Sequence, residues 1–392
     1  MELKYYFDYN ATTPTDPRVV DEMRAYFSDN FHNPSSFYRR AGEADYAVET
    51  AREKIAKLVN AESREIFFTA GGTESDNLAV QGTAYQLKEK GNHIITSQIE
   101  HPAILKTCKH LEKNGFEVTY LPVDKNGFVN PEHLIESIKD TTILISIMHA
   151  NNEIGTIQPI KELAAIAHGK GVLFHTDAVQ STGKIPVDVK ELDVDLMSFS
   201  SHKIYGPKGV GGLYKKAKVK ITPIIFGGGH EKGLRAGTEN IHGIVGMGKA
   251  AELALLEMAQ EEKTLRALRD RLQKEILAKI PEVIVNGDTD KRLYNTLNVS
   301  IKYIEGESIL AMLDQQGFAL SSGSACSSKS LDPSHVLLAI GLKHEDAHGS
   351  LRISLGKYNT AEDVEKLIEA LPPVVERLRS MSPFWKGSDG PG

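Results

Sequence analysis

The chain has 392 residues, of which 41% are hydrophobic and 25% charged, and its 46 Lys and Arg against 52 Asp and Glu give a formal net charge of −6. That is globular composition, long enough for two domains with cores of their own. It lacks a basic stripe for nucleic acid and a stretch long enough for a membrane span or built like a signal peptide. Its two cysteines, Cys108 and Cys326, exclude a disulfide framework and suit a reducing cytoplasm.

The first segment, Tyr6 to Pro14, is short, polar and rich in turn residues. Asp16-Pro17 opens a helical pattern through Val20, Met23 and Phe27, the turn-forming stretch His32 to Ser36 follows, and Val48, Ile55 and Val59 mark a helix over 41–59. Strands and helices then alternate. Strands are expected at 65–69, 93–96, 118–121, 143–148, 172–175, 196–199 and 211–214, and helices at 74–90, 102–114, 131–139 and around 160–168. Such alternation predicts an α/β fold with a mostly parallel sheet covered on both faces, whose ligands bind beyond the carboxyl ends of the strands. A long helix is expected from about 245 to 280, with Leu265, Leu268, Leu272 and Ile276 at helical spacing and Pro281 just beyond. Strands at 283–285, 297–301 and 351–354, a helix near 307–316, and a last helix opened by Thr360 with Asp363 at the capping-box position predict a smaller α+β domain. The tail from Lys386 to Gly392 is expected to be disordered.

Reactive groups recur at the predicted strand ends. Gly71-Gly72-Thr73 precedes a helix, where backbone N–H groups bind phosphate, although a plain glycine turn with an N-cap reads the same way. His101 follows the second strand and is either structural or set against a ligand. Asn152 follows the 143–148 strand, in a stretch that also suits a turn. Asp177 ends an apolar strand and needs a partner, either a nearby Lys or a protonated pyridine nitrogen. Lys203, in Ser198 to Pro207, is a surface lysine or an amine nucleophile for a carbonyl cofactor. A phosphate site, a ring-stacking His, a carboxylate and an amine at successive strand ends describe a pyridoxal 5′-phosphate (PLP) site.

Three further stretches stand out. Phe226 to Glu239 is glycine-rich, with Arg235 and Thr238 available for anions; it is a surface loop or one that crosses to a second subunit. Cys326 lies among small polar residues, where an accessible thiol would sit, whereas Cys108 lies in a helical stretch and is expected to be inert. Arg352 is either a clamp for a substrate carboxylate or one half of a surface salt bridge.

Asn10-Ala-Thr-Thr13, Asn33-Pro-Ser-Ser36, Gly72-Thr-Glu-Ser75, Glu100-His-Pro102, Asn151-Asn-Glu-Ile-Gly155, His175-Thr-Asp-Ala178, Ser201-His-Lys203, Arg235-Ala-Gly-Thr238 and Ser321-Ser-Gly-Ser-Ala-Cys326 resemble the motifs of cysteine desulfurases of the NifS/IscS branch. The likeness runs from about residue 5 to Trp385. It implies PLP fold type I, as in aspartate aminotransferase, with a seven-stranded, mostly parallel sheet in the large domain. The implied division is an N-terminal segment 1–15 packed on the small domain, a PLP-binding domain 16–260, and a C-terminal domain 261–385 that carries the Cys326 loop. It implies a cytoplasmic homodimer with PLP on Lys203, His101 stacked on the ring and Asp177 at the pyridine nitrogen. Asn152 and Gln180 would lie against the ring substituents. Gly72, Thr73, Ser200 and His202 would hold the phosphate, with Thr238 reaching in from the second subunit. Arg352, helped by Asn152, would bind the carboxylate of L-cysteine, and Cys326 would accept its sulfur and pass it to an iron–sulfur scaffold or another acceptor. Catalysis would rest on Lys203, His101 and Cys326, with no metal. Two positions depart from the pattern: Ser201 stands where Gly is usual, adding a hydroxyl expected near the cofactor, and His32 stands where Gly often precedes Asn-Pro-Ser. Rival expectations are a selenocysteine lyase, another PLP-dependent lyase or aminotransferase, and a catalytically silent sulfur carrier.

Overall fold

The computed structural model describes residues 4–322 and 333–385; Cys326 and the tail 386–392 lie outside the described residues. In chain order the elements are β1 (Tyr5–Tyr6), α1 (Pro17–Ser28), α2 (Arg39–Leu58), β2 (Ile66–Thr69), α3 (Gly72–Gln86), β3 (His93–Ser97), α4 (Pro102–Glu112), β4 (Glu117–Leu121), α5 (Pro131–Ser137), β5 (Thr142–Ser146), α6 (Ile160–Gly169) and β6 (Leu173–Asp177). They continue with α7 (Val189–Leu192), β7 (Leu196–Ser200), β8 (Gly211–Lys215), α8 (Ile241–Lys279), β9 (Val283–Val285), β10 (Thr296–Ile301), α9 (Gly306–Asp314), β11 (Phe318–Ala319), α10 (His335–Ala339), α11 (His344–His348), β12 (Ser350–Ser354) and α12 (Ala361–Met381).

The large sheet has seven strands in the order β2-β8-β7-β6-β5-β3-β4. Strands β4, β3, β5, β6 and β7 run parallel, and β8 runs antiparallel to both of its neighbours. Successive residues of β5 to β7 are buried on both faces, as a sheet covered by helices requires. The carboxyl ends of the parallel strands therefore open on one edge, and that edge sets the position of the site.

α8 links two cores. Its first half places Ile241, Ile244, Val245 and Met247 in the core under the large sheet, and its second half places Leu265, Leu272 and Ile276 in a second core with β10, β12 and α12. The helix starts four residues earlier than its apolar spacing predicts, with the Asn240 side chain accepting from the Gly243 N–H. Gly243, within this first turn, reads in the sequence as a break. A Cβ at Gly248 would lie 2.7 Å from the Cα of Ala51, so glycine lets α8 press against α2. The opening segment is more than a turn: β1 pairs in parallel with β11, and Tyr5 stacks on Phe318 at 4.6 Å. Two-residue strands such as these carry no period to read. The Thr360–Asp363 capping box forms as expected, with reciprocal bonds of 3.2 and 2.8 Å.

A smaller cluster packs Val336 and Leu337 of α10, and Ile340 just after it, against Ile99, Met148 and Ile154 beyond the strand ends. It brings the chain back from the second core to the edge where β3 and β5 finish.

Candidate active site

At the carboxyl ends of the strands lies a cleft of about 540 Å³, lined by Thr73, His101, Asn152, Asp177, Gln180, Lys203 and Arg352 among others. Gly72, Ser200 and His202 border it as well, and so do Asp8, Asn10, Ala11 and Asp76.

Lys203 follows β7 in a single 3-10 turn. Its Nζ donates to the carbonyl oxygens of Asn10 and Ala11 at 2.5 and 2.7 Å. Asp177 is the last residue of β6 and is buried; its Oδ1 accepts the Val179 N–H at 2.9 Å. Burial pushes its carboxyl up to about 6, against the pull of that hydrogen bond and of the Lys203 charge. On α3, Asp76 is also buried, and burial together with the charge of Asp177 holds it well above the ordinary carboxylate range. Among the described residues Asp76 Oδ1 meets no hydrogen-bond partner.

His101 caps α4, with Nδ1 accepting the Ala103 N–H at 3.1 Å, so the ring proton sits on Nε2. Burial and the nearby Lys203 hold the imidazole down at about 4, hence neutral. Gln180 is oriented at both ends of its amide: Lys184 Nζ donates to Oε1 at 2.9 Å, and Nε2 donates to the Asn10 carbonyl at 3.0 Å. Arg352, in the middle of β12, is only 3% exposed, so the surface salt-bridge alternative is set aside. Its Nη1 donates to the Asn152 carbonyl at 3.2 Å and its Nη2 to Asp8 Oδ1 at 2.8 Å.

Two expectations are corrected. Ser201 does not add its hydroxyl to the cleft. Its side chain is fully buried and turned toward Gly206, where an added Cβ would lie 2.0 Å from its Oγ. Arg235, expected to be available for anions, is already paired: its Nε donates to Glu74 at 2.9 Å. Thr238 is exposed and does not line the cleft of its own chain. Cys108 is buried in α4 with its thiol pushed up to about 12 by burial, in keeping with an inert residue.

Sequence reasoning assigned no role to Asp8, Asn10, Asp76 or Lys184. Asn10 is the hub. Its backbone and side chain reach Asn152, Gln180, Lys184 and Lys203 on one side, and Asn295, Thr296 and Ser354 on the other. The one signal for it was its place at the head of Asn10-Ala-Thr-Thr13.

These groups fit PLP. Two buried carboxyl groups border one cleft, one of them with an unmet oxygen, a donor set short of a cation that a protonated pyridine nitrogen supplies. The amino end of α3 abuts the cleft at Gly72, where a Cβ would meet Val179 Cγ2 at 2.6 Å, so the backbone alone faces the space a phosphate needs. A sheet of this topology with an amine, a buried carboxylate and a neutral imidazole at its strand ends defines a PLP-dependent enzyme of fold type I.

Comparison with known proteins agrees. The class-V aminotransferase family matches residues 5–367. The chain is 55% identical over 388 residues to "Cysteine desulfurase IscS" of Clostridium botulinum, covering 98% of each chain. Among solved structures it is similar to a "NIFS-like protein" at a TM-score of 0.91 and 40% identity, over 96% of this chain and 100% of the other. It is also similar to "SspA in complex with cysteine", at a TM-score of 0.81 and 39% identity, over 91% and 100%. The chain belongs to the class-V aminotransferase family and, within it, to the cysteine desulfurases of the NifS/IscS branch.

Proposed function

We propose that the protein is a PLP-dependent cysteine desulfurase that converts L-cysteine to L-alanine and carries the released sulfur on Cys326. The observation behind this is the convergence of Lys203, Asp177, His101, Gln180 and Arg352 on one cleft, in a chain with IscS relatives over nearly its whole length.

Lys203 would anchor the cofactor through its amine, and Asp177 would supply a negative charge to its ring nitrogen. His101 would hold the ring, Asn152 and Gln180 its substituents, and Gly72, Thr73, Ser200 and His202 the phosphate. When bound, the cofactor supplies an electron sink for the charge left at the substrate Cα. Arg352 and Asn152 orient the cysteine carboxylate, so that the Cα–H points at the Lys203 amine. That amine takes the proton and returns it, a step that requires it to be free of charge at that moment. His101, neutral with its proton on Nε2, carries a proton at the substrate sulfur. The Cys326 thiolate attacks that sulfur, the Cα-side fragment keeps the electrons of the broken C–S bond and leaves as alanine, and Cys326 holds a persulfide. Cys326 lies outside the described residues, and its role rests on the family motif around it.

The division into domains falls within α8, near residue 260, with segment 1–15 on the smaller domain. The exposed rings of Phe27, Phe31, Phe37, Tyr38 and Tyr46 on and around α1 and α2 support a homodimer, in which the exposed Thr238 would reach the partner's phosphate site. The sulfur goes to an iron–sulfur scaffold or another thiol acceptor, in the cytoplasm. No helix among the described residues is long and apolar enough to cross a membrane.

The test is Lys203→Ala. The variant should still take up PLP but lack the Schiff-base absorption band of the wild type; an unchanged band would contradict the assignment.

A further inference from the structure

The Asp8–Arg352 pair has a consequence beyond holding the fold. Arg352 is 3% exposed and sits in a β-strand, and a buried guanidinium without a counter-charge is costly. Asp8 supplies that charge, with one oxygen on Nη2 at 2.8 Å, while the Asn152 carbonyl takes Nη1 at 3.2 Å. Arg352 Nε is buried and, among the described residues, has no hydrogen-bond partner. The guanidinium is thus fixed from two sides, keeps an open donor, and has its charge already matched. Asp8 and Arg352 both border the cleft.

We propose that Asp8 is an affinity-setting residue, an internal carboxylate that weakens the hold of Arg352 on the α-carboxylate of substrate and product alike. This rests on the assignment of Arg352 as the carboxylate clamp. A ligand carboxylate entering the cleft brings a second anion to a cation already paired, and the two anions repel across a few ångströms in a partly dry site. Binding is therefore looser than an unpaired guanidinium would give. The advantage is release: alanine keeps the same carboxylate as cysteine, and a clamp at full strength would retain it.

Among the described residues the Asp8 carboxyl bonds only to Arg352, so neutralising it leaves the rest of the segment's contacts in place.

The experiment is calorimetric titration of the holoenzyme with 3-mercaptopropionate, which has the carboxylate and thiol of cysteine without its amine, and with cysteamine, which lacks the carboxylate. Asp8→Asn keeps an oxygen that accepts from Nη2 and removes the charge. It should bind 3-mercaptopropionate about five- to tenfold more tightly than wild type, on the scale of a partly screened like-charge contact, and bind cysteamine as wild type does. Its KM for L-cysteine should fall and inhibition by L-alanine should tighten. Asp8→Ser, which removes the charge by a different side chain, should shift the same way. Unchanged or weaker binding of 3-mercaptopropionate in both variants overturns the proposal. Arg352→Gln separates the two layers. If it binds 3-mercaptopropionate as well as wild type, Arg352 is not the clamp. If it loses that binding while the Asp8 variants stay at the wild-type value, only the role of Asp8 falls.

Discussion

Glu100, one residue before His101, shows how single buried groups make this protein sensitive to pH. Its Oε1 accepts from the Ser97 hydroxyl at 2.6 Å and the Met148 N–H at 3.0 Å, and among the described residues its Oε2 has no partner. Burial outweighs both bonds and pushes the carboxyl up to about 8. The unfolded chain releases that proton near its ordinary value of about 4.3, so between the two values the folded state holds a proton that the unfolded state has lost. The Glu100 contribution to stability therefore falls as pH rises through that window and is level below it. Glu100→Gln removes the titration. Thermal unfolding of both proteins at about pH 5 and about pH 8 should show the variant gaining on wild type by about 1 kcal/mol or more at the higher pH. A difference that does not change with pH would contradict the buried carboxyl. At this scale the sequence was partly legible. Asp177, His101 and Lys203 stood out because each is polar at the end of an apolar strand. Asp8, Asp76 and Lys184 did not, because their meaning lies in partners far along the chain, such as Asp8 with Arg352.

Among the elements, α8 and α2 show glycine acting in opposite ways. In an exposed helix, Gly→Ala gains about 0.5–1 kcal/mol through backbone entropy. Gly42 in α2 is exposed, and a Cβ there would meet nothing within 4 Å. Gly248 in α8 presses on Ala51, with a Cβ 2.7 Å from both its Cα and its Cβ. We expect Gly42→Ala to stabilise by roughly 0.5 kcal/mol and Gly248→Ala to destabilise by roughly 1–3 kcal/mol through overpacking. Denaturant unfolding measures both, and a stabilising Gly248→Ala would show that α2 and α8 are not in close contact. Gly243 explains why α8 starts before its apolar spacing does: a period of apolar residues finds a helix, whereas a glycine in the first turn reads as a break. The large sheet was legible for the converse reason. Its strands are short apolar runs bounded by turn residues, and their alternation with helices fixes a parallel arrangement.

In the whole molecule, the site is held where two cores meet. The large sheet supplies His101, Asp177 and Lys203, the smaller core supplies Arg352, and Asn10 bonds to residues of both. In the proposed reaction Lys203 prepares the substrate from one side, while the motif of Cys326 belongs to the chain between β11 and α10, whose flanking residues are tied to the site. Ser321 exchanges backbone bonds with Arg352, the Ser334 hydroxyl donates to Glu153 at 2.5 Å, and His335 Nε2 donates to the Glu100 carbonyl at 3.0 Å. No local pattern announces such a junction, since it exists only once both cores have formed. The central claim is that two nucleophiles divide the reaction, Lys203 acting at Cα and Cys326 at sulfur. Its most direct test gives L-cysteine and a reducing thiol to the purified wild type and to Cys326→Ala, and measures alanine and sulfide. The wild type should release the two in equal amounts, and Cys326→Ala should bind cysteine yet release neither; alanine formed by that variant at the wild-type rate would contradict the account.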